Sequence, residues 1–186
     1  MASKITYQSV FATRQDTGSI QDHAHNFYTA SLRLIKGIAR GDIKSESEGL
    51  AAVFLFRHYL ELALKDLLEA GRALTDEGLN SDSVQTTERT HVLTKLWQLV
   101  VVDAKPKFCQ WEEFDTEFVE HCIAEFDAVD QKGFAFRYRG HSVEKLEVDF
   151  GQLERTVEHV NSTLESIRVN LMLTWVGNEY GSEEIE

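Results

Sequence analysis

The chain has 186 residues, a formal net charge of −12, and 42% hydrophobic and 27% charged residues. This composition is typical of one soluble folded domain, excludes an intrinsically disordered chain, and disfavours a broad nucleic-acid surface, because phosphates require a basic footprint. No apolar run approaches the roughly 20 residues of a membrane span, and the first residues lack the apolar core of a signal peptide. Cys109 and Cys122 have neither a CxxC nor a Cys/His zinc spacing, so we expect reduced thiols in a cytoplasmic protein without a membrane partner.

The hydrophobic periodicity predicts an all-α protein, an antiparallel bundle of four to five helices. The first helix opens at Ser19, where Asp22 completes a capping box, and Gly41 suits its end. The second helix starts near Ser45 and runs to Gly71.

The middle of the chain alternates loops and shorter helices. The polar, aperiodic segment 72–89 is predicted to be a loop. A third helix covers about His91 to Asp103, Pro106 interrupts the chain, and a fourth helix covers about Trp111 to Val129. The inner face of the fourth helix is predicted from four residues at i+4 steps: Phe114, Phe118, Cys122 and Phe126.

A short extended insert precedes the last helix, because Phe134, Phe136 and Tyr138 alternate as in a strand. The last helix opens at Asp149 and carries an apolar stripe over six turns. The stripe comprises Leu153, Val157, Val160, Leu164, Ile167, Leu171 and Trp175. The whole pattern predicts an N-terminal extension over 1–18, a helical bundle over 19–176, and an acidic flexible tail over 177–186.

The second helix is apolar over most of its surface but carries a polar stripe of Arg57, His58, Glu61 and Lys65. These four residues fall within about 100° of arc, and the i, i+4 spacing lets their charges pair. One interpretation is a solvent-exposed ladder of salt bridges. The other is a semi-buried seam in an interface or cleft, where Arg57 offers a fork for phosphate or carboxylate. The apolar surroundings favour the seam, because a buried charge needs its partner.

The segment FAFRYRGHS places Arg137, Arg139 and His141 within five residues of an acidic chain. Arginine can hold a phosphate and stabilise its transition state, and histidine can transfer a proton near neutral pH. Such residues suffice for metal-independent RNA cleavage, in which the 2′-hydroxyl is the nucleophile. The alternative interpretation is a basic loop that anchors the acidic helices.

A second group of polar residues, Glu117, His121 and Glu125, shares one face of the fourth helix and could hold a divalent metal. Di-iron bundles use a Glu-x-x-His spacing, which these residues lack. We therefore interpret this face as solvated and acidic. The chain has no glycine-rich phosphate loop, G-x-S-x-G elbow or H-E-x-x-H motif, so we expect neither a metal nor a cofactor.

Four features taken together resemble the HEPN superfamily of helical bundles: FLFRHYLELALKDLL, HVLTKLW, FAFRYRG and the long final helix. More narrowly, the chain is similar to bacterial HEPN-like proteins with an R-H-x-x-E-L-x-L-K helix and a later F-R-Y segment, over roughly Ser19 to Trp175. The resemblance implies an all-α bundle that usually dimerises, with its site in a cleft at the subunit interface. The superfamily includes metal-independent RNases of phage defence and toxin–antitoxin systems, and also members without catalysis. Active members carry an Arg-x4–6-His motif, whereas three residues separate Arg137 from His141.

Two functions follow as hypotheses. The first is an RNA-cleaving or RNA-binding effector of bacterial defence or toxin–antitoxin type, with Arg137, Arg139 and His141 at the phosphate. The second is a non-catalytic dimerising module whose charged seam recognises a protein partner encoded in the same operon. A homodimer is expected in both cases, because the central helix and the final stripe carry more apolar surface than one small bundle buries. We expect the polar stripe to face the dimer cleft or the F-R-Y segment, not bulk water.

Overall fold

The computed structural model describes residues 18–73, 89–103, 105–107, 111–130 and 147–181, without the side chains of 73, 107 and 175–181. These residues form five packed α-helices and two short 3-10 turns, and none of them lies in a strand. The helices are α1 (Ile20–Ala39), α2 (Ser45–Ala73), α3 (Leu93–Asp103), α4 (Thr116–Asp130) and α5 (Phe150–Gly181), and the turns are Lys105–Lys107 and Trp111–Glu113. The predicted all-α bundle is confirmed.

Two segments with specific predictions fall outside this description. The predicted extended insert lies within residues 131–146, and most of the predicted loop lies within residues 74–88. At the other end of the chain, α5 continues past residue 176 to Gly181.

Two helices have the caps that the sequence encodes. Ser19 Oγ accepts a hydrogen bond from the Asp22 amide at 3.2 Å, and Asp22 Oδ2 accepts one from the Ser19 amide at 2.9 Å. At the start of α5, Asp149 Oδ1 accepts a hydrogen bond from the Gln152 amide at 2.9 Å. Gly41 follows α1 with φ of 78°, a left-handed conformation that glycine adopts without steric cost.

The two shortest helices, α3 and α4, begin later than predicted. The third begins at Leu93 rather than His91, because a cap from another helix, described below, fixes its first turn. The fourth begins at Thr116 rather than Trp111, because the Asp115 side chain accepts a backbone hydrogen bond from its first turn. Trp111, the predicted start of this helix, lies in a separate 3-10 turn.

Helix α2 lies at the centre of the bundle, in contact with α1, α3 and α5. Its buried apolar residues are Ala52, Val53, Phe56, Tyr59, Leu60, Leu64, Leu67 and Leu68. Phe56 also packs edge-on against Phe126 of α4, with ring centroids 5.3 Å apart. The Tyr59 hydroxyl donates a hydrogen bond to Asn161 Oδ1 of α5 at 3.0 Å. Contact with several neighbours explains why the apolar arc of α2 is so wide.

Five residues of the predicted inner face of the last helix are buried: Val157, Val160, Leu164, Ile167 and Leu171. Leu153 is half-buried, and the side chain of Trp175 lies outside the described ones. In α4 the buried face is rotated from the prediction. Cys122 is buried as expected, but Val119 and Ile123 are buried beside it, whereas Phe118 and Phe126 are only half-buried. Among the described residues, no helix combines the length and the apolar character that crossing a bilayer requires.

Candidate functional site

Arg57 of α2 is 1% exposed and is bound to two other parts of the chain. Its Nε donates a hydrogen bond to the carbonyl oxygen of Asp130 at 3.1 Å, and its Nη2 donates one to the carbonyl oxygen of His91 at 2.7 Å. Asp130 is the last residue of α4, and His91 lies just before α3. Arg57 therefore joins the middle of α2 to the end of α4 and to the chain that enters α3.

The carboxylate of Glu61, one turn further along α2, contacts three side chains. Its Oε2 lies 3.6 Å from Arg57 Nη1, and its Oε1 lies 2.9 Å from Lys65 Nζ and 2.8 Å from His91 Nδ1. Burial acts to raise the pKa of Glu61, but the hydrogen bonds from Lys65 and His91 outweigh it, so this pKa lies below its ordinary value. Glu61 is therefore a buried carboxylate whose charge is compensated. We call Arg57, Glu61, Lys65 and His91 the charge cluster.

The imidazole of His91 is oriented by this carboxylate while remaining in contact with solvent. Its side chain is 54% exposed, compared with 5% for Glu61. In a neutral imidazole one ring nitrogen carries the proton and the other accepts. In the neutral tautomer with the proton on Nδ1, the ring donates to the Glu61 carboxylate and Nε2 keeps its lone pair. This is the arrangement in which a carboxylate holds a histidine as a general base.

The backbone beside His91 is fixed by Asp127 of α4. The buried Asp127 carboxylate accepts hydrogen bonds from the amides of Leu93, at 3.1 Å, and Thr94, at 2.7 Å. It therefore caps α3 from another helix and satisfies amides that have no partner within α3. Arg57 holds the carbonyl group of His91, and Asp127 holds the amides two and three residues later, so the chain is fixed directly after the residue that carries the imidazole.

The predicted polar stripe is thus divided by the structure. Arg57, Glu61 and Lys65 are brought together as the i, i+4 spacing predicted, and the solvent-exposed ladder is excluded because Arg57 and Glu61 are buried. His58 contacts α1. Its ring packs edge-on against Phe27 of α1, with centroids 4.3 Å apart. The stripe faces the entry to α3 and the end of α4.

The other predicted site residues are placed as follows. Arg137, Arg139 and His141 lie outside the described residues. On α4, Glu117, His121 and Glu125 are exposed, and His121 Nε2 lies 3.5 Å from Glu125 Oε1. In the part of the chain that the structure describes, no group of three or more His, Cys, Asp or Glu residues could hold a metal ion.

Sequence reasoning missed His91 and Asp127 as members of the site. In the sequence, His91 only marks the predicted start of the third helix, and its partner Glu61 lies 30 residues away. Asp127 lies 34 residues after the amide of Leu93 that it caps. A local motif indicates neither contact. The one available signal was the polar stripe itself, a set of charged side chains on an otherwise apolar helix.

A second pair of this type links α5 to the start of α4. His159 Nε2 lies 2.8 Å from Asp115 Oδ2, and both side chains are about half exposed. The His159 hydrogen bond holds the pKa of Asp115 below its ordinary value. Here the carboxylate is at the surface and also caps a helix, unlike the buried Glu61. The pair provides a matched control for experiments on His91.

No known protein family, curated protein or solved structure matches this chain.

Proposed function

We propose that this protein is a HEPN-like, metal-independent RNA-cleaving effector of bacterial defence or toxin–antitoxin type, located in the cytoplasm, in which His91 transfers a proton. One observation carries the proposal: the 2.8 Å contact between His91 Nδ1 and the buried carboxylate of Glu61. This contact leaves Nε2 of a half-exposed ring available as a base, and a general base of this kind contributes about 100-fold to 10,000-fold to rate.

The proposed reaction needs only proton transfer and phosphate binding. His91 Nε2 removes the proton from a ribose 2′-hydroxyl, whose oxygen then attacks the adjacent phosphorus. The P–O5′ bond breaks, and the departing 5′ oxygen takes a proton from His141. Arg137 and Arg139 bind the phosphate and its developing charge. The products are a 2′,3′-cyclic phosphate and a free 5′-hydroxyl.

Chain connectivity supports the participation of the Arg/His segment. Residue 131 is bonded to Asp130, whose carbonyl oxygen Arg57 holds at 3.1 Å. Arg137 lies seven residues further along the sequence, which limits its distance from that point to about 25 Å. The guanidinium of Arg57 already contacts two backbone carbonyl oxygens and Glu61. We therefore assign Arg57 a structural role and do not propose that it binds the phosphate.

The test is an RNA degradation assay in EDTA with purified protein and an end-labelled single-stranded RNA. We expect cleavage that leaves 2′,3′-cyclic ends, and no cleavage of the same sequence as DNA. His91→Ala and His141→Ala should each lower the rate by roughly 100-fold or more. His159→Ala is the control, because its imidazole has similar exposure and also contacts a carboxylate.

Three results would count against parts of the proposal. Full activity in His91→Ala would remove its catalytic assignment, and full activity in His141→Ala would remove the proton donor. Loss of cleavage in EDTA would indicate a metal-dependent reaction, with the exposed face of Glu117, His121 and Glu125 as the candidate metal site. Absence of cleavage by the wild-type protein on every RNA tested would favour the second candidate function.

The second candidate is a non-catalytic homodimeric module that recognises a protein partner from the same operon. It is favoured by an exposed apolar stripe on α5, where Val169, Met172 and Leu173 are 49%, 47% and 63% exposed. These i, i+3 and i+4 positions share one helix face, which a second copy would cover. Light scattering should show a dimer, and Leu173→Asp should convert it to a monomer. A strict monomer at micromolar concentration would contradict the homodimer.

A further inference from the structure

A cleft of about 320 Å³ lies between α2, α4 and the residues that begin α5. Its apolar walls are formed by Val53, Cys122, Phe126, Val129, Val148 and Leu153. This volume falls at the lower end of the range for small-molecule sites, which are lined mostly by apolar side chains with a few polar groups. Burial raises the pKa of the Cys122 thiol to about 12, so this wall is neutral.

Among the described residues that line the cleft, all the charged groups have the same sign. Glu125, Glu147 and Asp149 contribute to its lining and are exposed. Asp149 uses Oδ1 to cap α5, and Glu125 has only a 3.5 Å contact with exposed His121. No lysine or arginine is among the described lining residues. The described residues therefore give the cleft a negative electrostatic potential, which repels phosphates and carboxylates and attracts cations.

We propose that this cleft binds a small organic monocation whose apolar body is about the size of an aromatic ring system. The apolar body fills the space between Val53, Phe126 and Leu153, where it leaves water and gains dispersion contacts. The ammonium group stays at the mouth, near Glu125 and Glu147, where it keeps part of its hydration. The inference is independent of the proposed RNA cleavage, because polyanionic RNA does not suit this cleft.

The first experiment is a titration of the full chain, with ¹³C-labelled valine and leucine methyls, followed by NMR. Three probes of the same shape are compared: tryptamine, the neutral alcohol tryptophol, and the anion indole-3-propionate. We expect saturable shifts of the Val53, Val129 and Leu153 methyls, with Val102 and Val169 unchanged. Tryptamine should bind at least about threefold more tightly than tryptophol, and the anion least of all.

The second experiment removes the charges. Glu147→Gln and Glu125→Gln should each weaken tryptamine binding by about twofold to fivefold and leave tryptophol unaffected. Glu120→Gln is the control, an exposed carboxylate of α4 outside the cleft. Equal affinities for the three probes, or no saturable shifts, would overturn the proposal. Binding of tryptamine that appears only after Arg137→Ser and Arg139→Ser would also overturn the proposal, because the arginines of the chain itself would then be the occupants of the cleft.

Discussion

Replacing Arg57 by alanine should destabilise the protein more than any substitution of an exposed arginine. Arg57 is 1% exposed, and its hydrogen bonds connect α2 to residues of two other segments. Alanine would leave the carbonyl oxygens of Asp130 and His91 without this donor, and it would remove one of the charges that compensate Glu61. All three losses act on the folded state.

The magnitude follows from these contacts. A hydrogen bond from a charged donor contributes roughly 1.5–3 kcal/mol, so the two bonds to carbonyl oxygens give about 3–6 kcal/mol. The 3.6 Å contact with Glu61 adds little, because that carboxylate keeps Lys65 and His91 at 2.9 and 2.8 Å. We expect a loss of about 3–6 kcal/mol, a large part of the roughly 5–15 kcal/mol that stabilises a domain.

Urea unfolding followed by circular dichroism at 222 nm measures this loss. Arg33→Ala on the exposed face of α1 is the control and should change stability by less than about 0.5 kcal/mol. Arg57→Lys should recover only part of the loss, because an ammonium group lacks the fork that reaches both carbonyl oxygens. A double-mutant cycle with Glu61→Gln separates the ion pair from the hydrogen bonds. A loss below about 1 kcal/mol for Arg57→Ala, with an unchanged denaturant slope, would refute the reasoning.

Three further predictions test other parts of the structure. Leu164→Asp should abolish soluble folding, because Leu164 is 2% exposed and the new charge would have no partner; a soluble, helical variant with near-normal melting would contradict this. Asp127→Ala should cost about 1–2 kcal/mol and speed hydrogen exchange at the Leu93 and Thr94 amides that it caps; unchanged exchange would show that α3 needs no such cap. The pKa of Glu61 is lowered in the folded protein, so its carboxylate stabilises the fold above the unfolded-state pKa of glutamate, and this contribution disappears as pH falls through the folded-state pKa. Stability measured against pH should therefore fall more steeply in acid for the wild type than for Glu61→Gln, and parallel profiles would exclude this linkage.

Features that depend on residues within one or two helical turns could be predicted from the sequence. The capping box of Ser19 and Asp22, the start of α5 after Asp149, and the stripe through Leu164 are all present. So is the pairing of Glu61 with residues one turn away on α2. A helix has a fixed rise and 3.6 residues per turn, so spacing along the chain determines which of these side chains meet. The sequence by itself therefore determined an all-α protein and a charged stripe that needs partners.

The identity of those partners was decided by tertiary structure. Arg57 binds a carbonyl oxygen 73 residues away and another 34 residues away. Every residue has a backbone carbonyl, so the sequence carries no mark of which two a buried guanidinium will bind. The same holds for Asp127, whose carboxylate caps a helix to which it does not belong. His91 acquires an oriented imidazole only because the packing of α2, α3 and α4 brings its ring to Glu61, and such packing depends on all the contacts of the bundle together.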